Sequence, residues 1–333
     1  MNYCCNKCFQ DKFLEKQIKI LSKSTGQCDY CQCQNVNIIE PILLQDFFEQ
    51  IIDIYEINEQ GLMLSEHLNY DWKLFNVTLN KYTANNLLSE ILDNQDYLTN
   101  KYINSLEKLS IDIWDNFKKE LKHNNRYFPN DKEFNKENLK NLFEYFETFE
   151  YPTEVYRGRI NDTHTIIEKE KMGKPPYKKA SQGRANPIGI SYLYIASNIE
   201  TAISEIRPHK GETVTIGKIE LPTNFRLFDL RSAKNHLSPF EFSDNVLEEL
   251  YKDIDLLERF SEELSKPVLP REAHLEYLSS QYLSELIKHN GFDGLIYKSS
   301  VGTGYNIVMF TDFDLEFLEI KEYKIGNTTI EFS

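Results

Sequence analysis

All six cysteines of this 333-residue chain fall within its first 33 residues, at Cys4, Cys5, Cys8, Cys28, Cys31 and Cys33. Cys5-x2-Cys8 and Cys28-x2-Cys31, with nineteen residues between them, have the spacing of a four-thiolate zinc site. Each C-x-x-C turns two sulfurs onto one metal, and two such turns complete a tetrahedron. A segment this short cannot bury enough apolar surface to fold by itself, so the ion is expected to supply folding free energy. Cys4 and Cys33 offer alternative registers. A closed set of four thiolates leaves no open coordination position, so the expected Zn2+ is structural. Residues 1–36 therefore read as a zinc knuckle, which either touches nucleic acid or caps the next domain. Clustered thiols in place of a spread disulfide framework fit a reducing compartment. The opening MNYCCNKCFQ lacks the apolar stretch of a secretory signal. A cytoplasmic protein is expected.

After the cysteines, residues 37–150 read as helical throughout. PILLQDFFEQIIDIYEI, ANNLLSEILDNQDYL and KEFNKENLKNLFEYFETF space their apolar residues at three and four, which gives each helix one buried stripe. Pro152 ends the pattern, and LKHNNRYFPND reads as a loop. An all-α bundle is expected, with a regulatory or dimerising role, so a homo-oligomer is among the expected assemblies. The segment holds a single arginine, Arg126, against many acids, and the whole chain carries a net charge of −14. That balance argues against a broad basic face for duplex nucleic acid. No apolar run approaches the roughly 20 residues of a membrane span.

From 151 onward the texture changes to short strands, turns and helical stretches. EVYRGRI, ETVTIGKIEL, FRLFDL, GFDGLIYKSS, YNIVMF and DLEFLEI read as strands, with a helix from about Asp244 to Leu264 and another ending at Gly291, placed as a C′ glycine. The order lacks the regular alternation of a doubly wound sheet, and the GTG at 302–304 is too short for a dinucleotide fingerprint. The most informative stretch is GRANPIGISYLYIASNIETAISEIRP, residues 183–208. Arg184 precedes turn residues, SYLYIA reads as a strand, and Ser197 with Glu200 reads as a capping box that opens a helix stopped by Pro208. Arg184, Tyr194 and Glu205 thus stand on one loop–strand–helix corner, suited to a phosphorylated, aromatic substrate.

Tyr156-Arg157-Gly158, Gly183-Arg184, Tyr194-Ile-Ala, Thr201-Ala-x-x-Glu205, Tyr277, Gln281, the run from Gly291 to Ser299, and Asn306 together resemble the RES domain family. Tyr194 stands ten positions after Arg184, and Glu205 eleven positions after Tyr194. The resemblance covers about 155 to 312 and implies a mixed-sheet core similar to diphtheria-type ADP-ribosyltransferases. It also implies an NAD-consuming activity of the kind found in bacterial toxins, with an antitoxin or other regulatory protein as partner. The expected fold is therefore α+β: a zinc knuckle (1–36), a HEPN-like helical bundle (37–150), a RES domain (151–320) and a C-terminal strand extension (321–333). HEPN ribonucleases carry R-x4–6-H, which 37–150 lacks. Arg159 and His164 match that spacing only inside the RES region, so RNA cleavage is not expected.

The resemblance implies catalytic roles for Arg184, Tyr194 and Glu205, and substrate-binding roles for Arg157, Ser299 and Asn306. Taken singly, Tyr194 reads as core, Glu205 as a solvated residue pairing with Arg207, Arg157 as a surface ion pair and Ser299 as a strand-end turn residue. It is the resemblance, in which they appear together at the family's spacing, that implies a site. Loss of nicotinamide from ribose passes through an oxocarbenium-like transition state, so the site needs negative charge near the ribose and a grip on the phosphates. Glycohydrolysis, phosphorolysis and ADP-ribosyl transfer share this first half. The alternative is a non-catalytic module, with a structural zinc knuckle, that binds a nucleotide or nucleic acid.

Overall fold

The computed structural model describes residues 2–130, 136–162, 165–243, 246–269 and 271–326. His164, the expected helix start at Asp244, and residues 327–333 of the C-terminal extension lie outside the described residues. The chain divides into two compact units, Met1–Ile113 with Lys234–Leu256, and Trp114–Ala233 with Leu257–Ser333.

The first unit opens with β1 (Cys4–Cys5), α1 (Lys12–Leu21), β2 (Ser24–Gly26) and β3 (Val36–Ile39), whose strands form an antiparallel sheet with β3 in the centre. Asp11 starts α1 by accepting the amide of Leu14 at 2.8 Å. Next come α2 (Gln45–Ile52), β4 (Tyr55–Leu62), α3 (Leu64–Trp72), α4 (Lys81–Ile91) and β5 (Tyr102–Asn104). The rings of Phe9, Phe48 and Phe75 meet in the core, and Phe240, returning from the later segment, packs on Phe48 at 5.4 Å and on Phe13 at 6.0 Å. Asp71 is buried and accepts the Tyr55 hydroxyl and the Asn104 amide, each at 2.9 Å. The expectation of helix throughout 37–150 is not met locally, because β4 and β5 pair antiparallel. Glu56, Asn58, Glu59 and Gln60 give YEINEQGL the look of a solvated face, while its partner strand lies some forty residues on. Only the pairing reveals the strand.

α5 (Glu107–His123) and α8 (Leu247–Ser265) each carry residues of both units. The second unit also holds α6 (Lys136–Leu142), β6 (Glu147–Thr148), β7 (Glu154–Ile160), β8 (Leu193–Ala196), α7 (Ile199–Ile206), β9 (Thr213–Glu220), β10 (Leu227–Asp229), α9 (Ala273–Glu276), α10 (Leu278–His289), β11 (Gly294–Lys298), β12 (Tyr305–Met309) and β13 (Glu316–Lys324). Eight of its strands form one sheet in the order β13-β9-β7-β8-β12-β11-β10-β6. Every pairing in it is antiparallel except β10 with β11. Period-two alternation sends Val155, Leu193, Ile195, Ile219 and Ile307 into one core layer. Ala196, Val214 and Ile216 face the other way, against Ala202 and the apolar residues of α7. Gly158 permits this second layer, since a Cβ there would lie 2.8 Å from the carbonyl of Ala202 and 3.2 Å from Ile206.

The expected capping box shifts by one residue. Asn198 caps α7 by accepting the amide of Thr201 at 2.7 Å, while the Ser197 hydroxyl accepts the amide of Tyr305 at 3.0 Å. Both residue types cap well, and the neighbouring strand has claimed Ser197. The helix ends at Arg207, in the left-handed region just before Pro208, and Gly291 follows α10 at a φ of +85°.

Candidate functional site

β7 and β8 pair through a single residue couple, Tyr156 with Ala196. Beyond that couple the strands part, and a cavity of about 280 Å³ opens between them with α7 as its wall. The register of the sheet builds its floor. Tyr156 lies opposite Ala196, Ala196 opposite Asn306, and Asn306 opposite Tyr297, so one row of side chains crosses four strands on the α7 side. All four residues line the cavity, together with Arg157, Tyr194 and Glu205.

Glu205 projects from the last turn of α7. Its Oε1 accepts the Ser299 hydroxyl at 2.7 Å and the Asn306 amide at 2.6 Å. Its Oε2 has no partner among the described residues, which leaves two lone pairs for a ligand. The Ser299 hydroxyl also accepts the amides of Val301 and Gly302 at 3.2 and 3.0 Å, so its capacity is spent on the turn and on Glu205. Ser299 is absent from the cavity lining and orients the carboxylate from behind.

Arg157 stands where the strands part. Its Nη1 donates to the Tyr194 carbonyl at 2.6 Å, replacing the ladder bond that the splayed strands cannot make. Its Nε is buried without a partner. Burial, and secondarily the neighbouring Arg159, disfavour the charge on this guanidinium. No carboxylate forms an ion pair with it among the described residues, so the cavity holds a cation under pressure to find an anion. Arg159 leads elsewhere, donating to the Gly173 carbonyl at 2.7 Å.

Tyr194 lines the cavity, and its hydroxyl bonds to residues outside the lining. It donates to Asn186 Oδ1 at 2.7 Å and accepts the amide of Ala185 at 3.1 Å. Burial pushes its ionisation well above the ordinary phenol range, as it does for Tyr297. Arg184 takes a different path. Its Nη1 donates to the carbonyls of Leu264 and Ser265 at 2.6 and 2.9 Å, satisfying the C-terminal end of α8. Arg184 does not line the cavity, though its charge acts on the phenols of Tyr194 and Tyr297, which do. Of the residues expected from sequence, the structure thus gathers Tyr194, Glu205, Arg157 and Asn306 around one space, with Ser299 behind Glu205 and Arg184 to one side. Tyr156 and Tyr297 join them. Both lie in stretches that carry the resemblance, but the sequence assigns neither a site role, because their convergence follows from cross-strand register.

The cysteines form a second centre. The sulfurs of Cys5, Cys8, Cys28 and Cys31 all lie within 4.8 Å of one another, with Cys5 to Cys31 at 3.4 Å and Cys8 to Cys28 at 3.3 Å. A tetrahedral zinc with bonds of about 2.3 Å has sulfur–sulfur edges of about 3.8 Å, so this cluster fits the ion in size and donor chemistry. Backbone amides of Lys7 and Cys31 point at the sulfurs of Cys5 and Cys28 at 3.3 and 3.5 Å, as thiolates require. Contacts from Cys5 and Cys8 draw the Cys28 thiol below its ordinary range, while the thiols of Cys5, Cys8 and Cys31 are pushed above it by those contacts and by burial. The four residues can hold a metal ion. Cys4 and Cys33 stay outside this set.

Among the described residues, no helix is long and apolar enough to cross a membrane. No curated protein matches the sequence. Among solved structures, the chain is similar to a chain in the crystal structure of the M. tuberculosis MbcT–MbcA toxin–antitoxin complex. The identity is 11% and the TM-score 0.34, over 56% of this chain and 93% of that one. The sequence model of the RES domain matches residues 157–329, which begin at the arginine between the parted strands and include Tyr194, Glu205, Ser299 and Asn306. That match spans more than half of the protein, and the chain belongs to the RES domain family.

Proposed function

We propose that the second unit cleaves the bond between nicotinamide and ribose in NAD. The observation that carries this reading is a carboxylate with one oxygen free, Glu205, in the same cavity as an unneutralised guanidinium, Arg157. A cavity of about 280 Å³ lies at the small end of ligand sites, which suits the nicotinamide–ribose half of a dinucleotide with its phosphates turned toward Arg157. Glu205 Oε2 accepts the ribose hydroxyls, and its charge stabilises the oxocarbenium ion as the bond breaks. The Ser299 and Asn306 hydrogen bonds keep the carboxylate aimed before reaction, so little reorganisation is needed at the transition state. Nicotinamide leaves as a neutral ring, and no general acid is required. The ring faces of Tyr156, Tyr194 and Tyr297 offer apolar surface to that ring. Arg184 supports the site from outside the lining, by tying the loop before β8 to the end of α8.

Water, phosphate or a protein side chain would then capture the ribosyl cation. Such an activity depletes the NAD of its own cell, which calls for a neutralising protein partner, and a homo-oligomer formed through the first unit would fit a regulatory role. A zinc ion held by Cys5, Cys8, Cys28 and Cys31 would fold the N-terminal segment and take no part in the chemistry.

Incubation of the purified protein with NAD, following free nicotinamide, tests the proposal. Release by the wild-type chain and its loss in Glu205→Gln are expected. Chromatography of the products separates ADP-ribose, its phosphorylated form and modified protein. Tight NAD binding without any release would favour the non-catalytic module instead.

A further inference from the structure

Asn186 is 4% exposed, and every polar atom of its side chain is used. Its Nδ2 shares its two hydrogens among the carbonyls of Ser181, Pro187 and Ile190 at 3.0, 3.1 and 2.7 Å, drawing residues 181–190 into a closed loop around one amide. Its Oδ1 accepts the Tyr194 hydroxyl at 2.7 Å. Its own carbonyl accepts the Gly183 amide at 2.8 Å and the Gln281 side chain at 3.0 Å, which binds this loop to α10. Gly183 closes the knot. A Cβ there would meet Asn186 Oδ1 and lie 2.6 Å from the Tyr194 hydroxyl.

A turn asparagine ordinarily bonds its own backbone two residues on, at a solvent-exposed tip. Asn186 is buried and reaches a side chain on the following strand. We infer that Asn186 is a positioning residue of the cavity, holding the Tyr194 hydroxyl outward so that the ring presents its face to the nicotinamide end of the substrate. This rests on the NAD reading above. The amide is suited to the task because it donates and accepts at once. A carboxylate would meet three carbonyls with no hydrogen to offer them, and an alanine would take the side-chain donor from those carbonyls and the acceptor from the phenol, whose remaining partner is the Ala185 amide.

A double-mutant cycle on kcat/KM for nicotinamide release tests the assignment, with Tyr194→Phe, Asn186→Ala and the pair, each assayed well below its melting temperature. Tyr194→Phe removes one oxygen atom and keeps the ring, so it remains informative even where Asn186→Ala folds poorly. Each single change is expected to cost about ten-fold, and the pair about ten-fold as well, because both remove the same contact. Gly183→Ala is expected to reproduce the loss by forcing Asn186 and the phenol apart. A purely structural asparagine would lower the melting temperature and leave kcat/KM of the folded protein intact. Tyr194→Phe at the wild-type rate, or additive losses near a hundred-fold in the pair, would overturn the inference. Absence of release by the wild-type protein would overturn the NAD reading itself, which separates the two failures.

Discussion

The side-chain amide of Asn306, on β12, donates to Oε1 of Glu205, on α7, at 2.6 Å across 101 residues of chain. It shares that oxygen with the Ser299 hydroxyl and leaves Oε2 open to the cavity's ligand. Glu205→Gln keeps the shape but removes the charge, and is expected to lower nicotinamide release by about a thousand-fold, the scale on which electrostatic groups act at developing charge. Asn306→Ala and Ser299→Ala leave the carboxylate in place but unaimed, so losses of about ten- to a hundred-fold are expected. Rates measured on variants with unchanged melting temperatures would check this. A Ser299→Ala loss as large as that of Glu205→Gln would give Ser299 a direct part in the chemistry.

Arg157 is the cation that lines the cavity, and its charge has no ion-pair partner among the described residues. An anion bound beside it relieves that pressure, so inorganic pyrophosphate and NAD are both expected to raise the melting temperature of the wild-type protein. Arg157→Lys retains a charge but loses the planar fork, and KM for NAD should rise by about ten- to a hundred-fold with a smaller change in kcat. Thermal shift and steady-state kinetics give the two readouts. A pyrophosphate-induced shift of full size in Arg157→Lys would place the phosphates elsewhere.

Arg184 donates to the carbonyls of Leu264 and Ser265. Removing it leaves these acceptors short of a charged donor, so Arg184→Ala is expected to lose about 1–3 kcal/mol of stability. The rate should fall less than in Glu205→Gln. Denaturant melts alongside nicotinamide release would separate the contributions. A Glu205-sized loss of rate in an undiminished fold would return Arg184 to the catalytic set.

The four-sulfur cluster predicts about one zinc per chain by elemental analysis, lost when Cys28→Ser and Cys31→Ser are combined. Chelation should unfold the N-terminal segment, because the binding free energy of such an ion is folding free energy. Cys4→Ser and Cys33→Ser should retain the metal. Loss of zinc in either single variant would show that another register is used.

Asp253, on α8, has its carboxyl pushed up from 3.8 to about 7, first by burial and then by Glu249. The folded protein therefore keeps a proton that the unfolded chain releases, and stability falls as pH rises from about 4 to about 7. Asp253→Asn removes this dependence. Its melting temperature should coincide with wild type near pH 4, exceed it increasingly up to pH 7, and hold a constant margin above. Parallel melting curves at every pH would rule out Asp253 as the source.

Much of the local structure was legible from residue types. The paired C-x-x-C turns, the short apolar strands, the stop at Pro208 and the glycine after α10 each depend on a few neighbouring residues. Their chemistry acts within one turn of chain, so sequence reports it directly. Even there Ser197 and Asn198 exchanged roles, because a strand more than a hundred residues away claimed the serine.

The membership of the cavity was legible only in part. Glu205, Tyr194, Arg157 and Asn306 came from the family resemblance, yet nothing local distinguishes the arginine that enters the cavity from the one that secures a helix end. The parting of β7 from β8 decides that question, together with the row that sets Tyr156, Ala196, Asn306 and Tyr297 side by side. By itself the sequence determined which groups this chain possesses and which short elements carry them. Tertiary structure alone decided which of those groups face one another. A side chain's direction follows from strand register and from what its hydrogen-bonding atoms meet, and both are settled by partners far away in the chain.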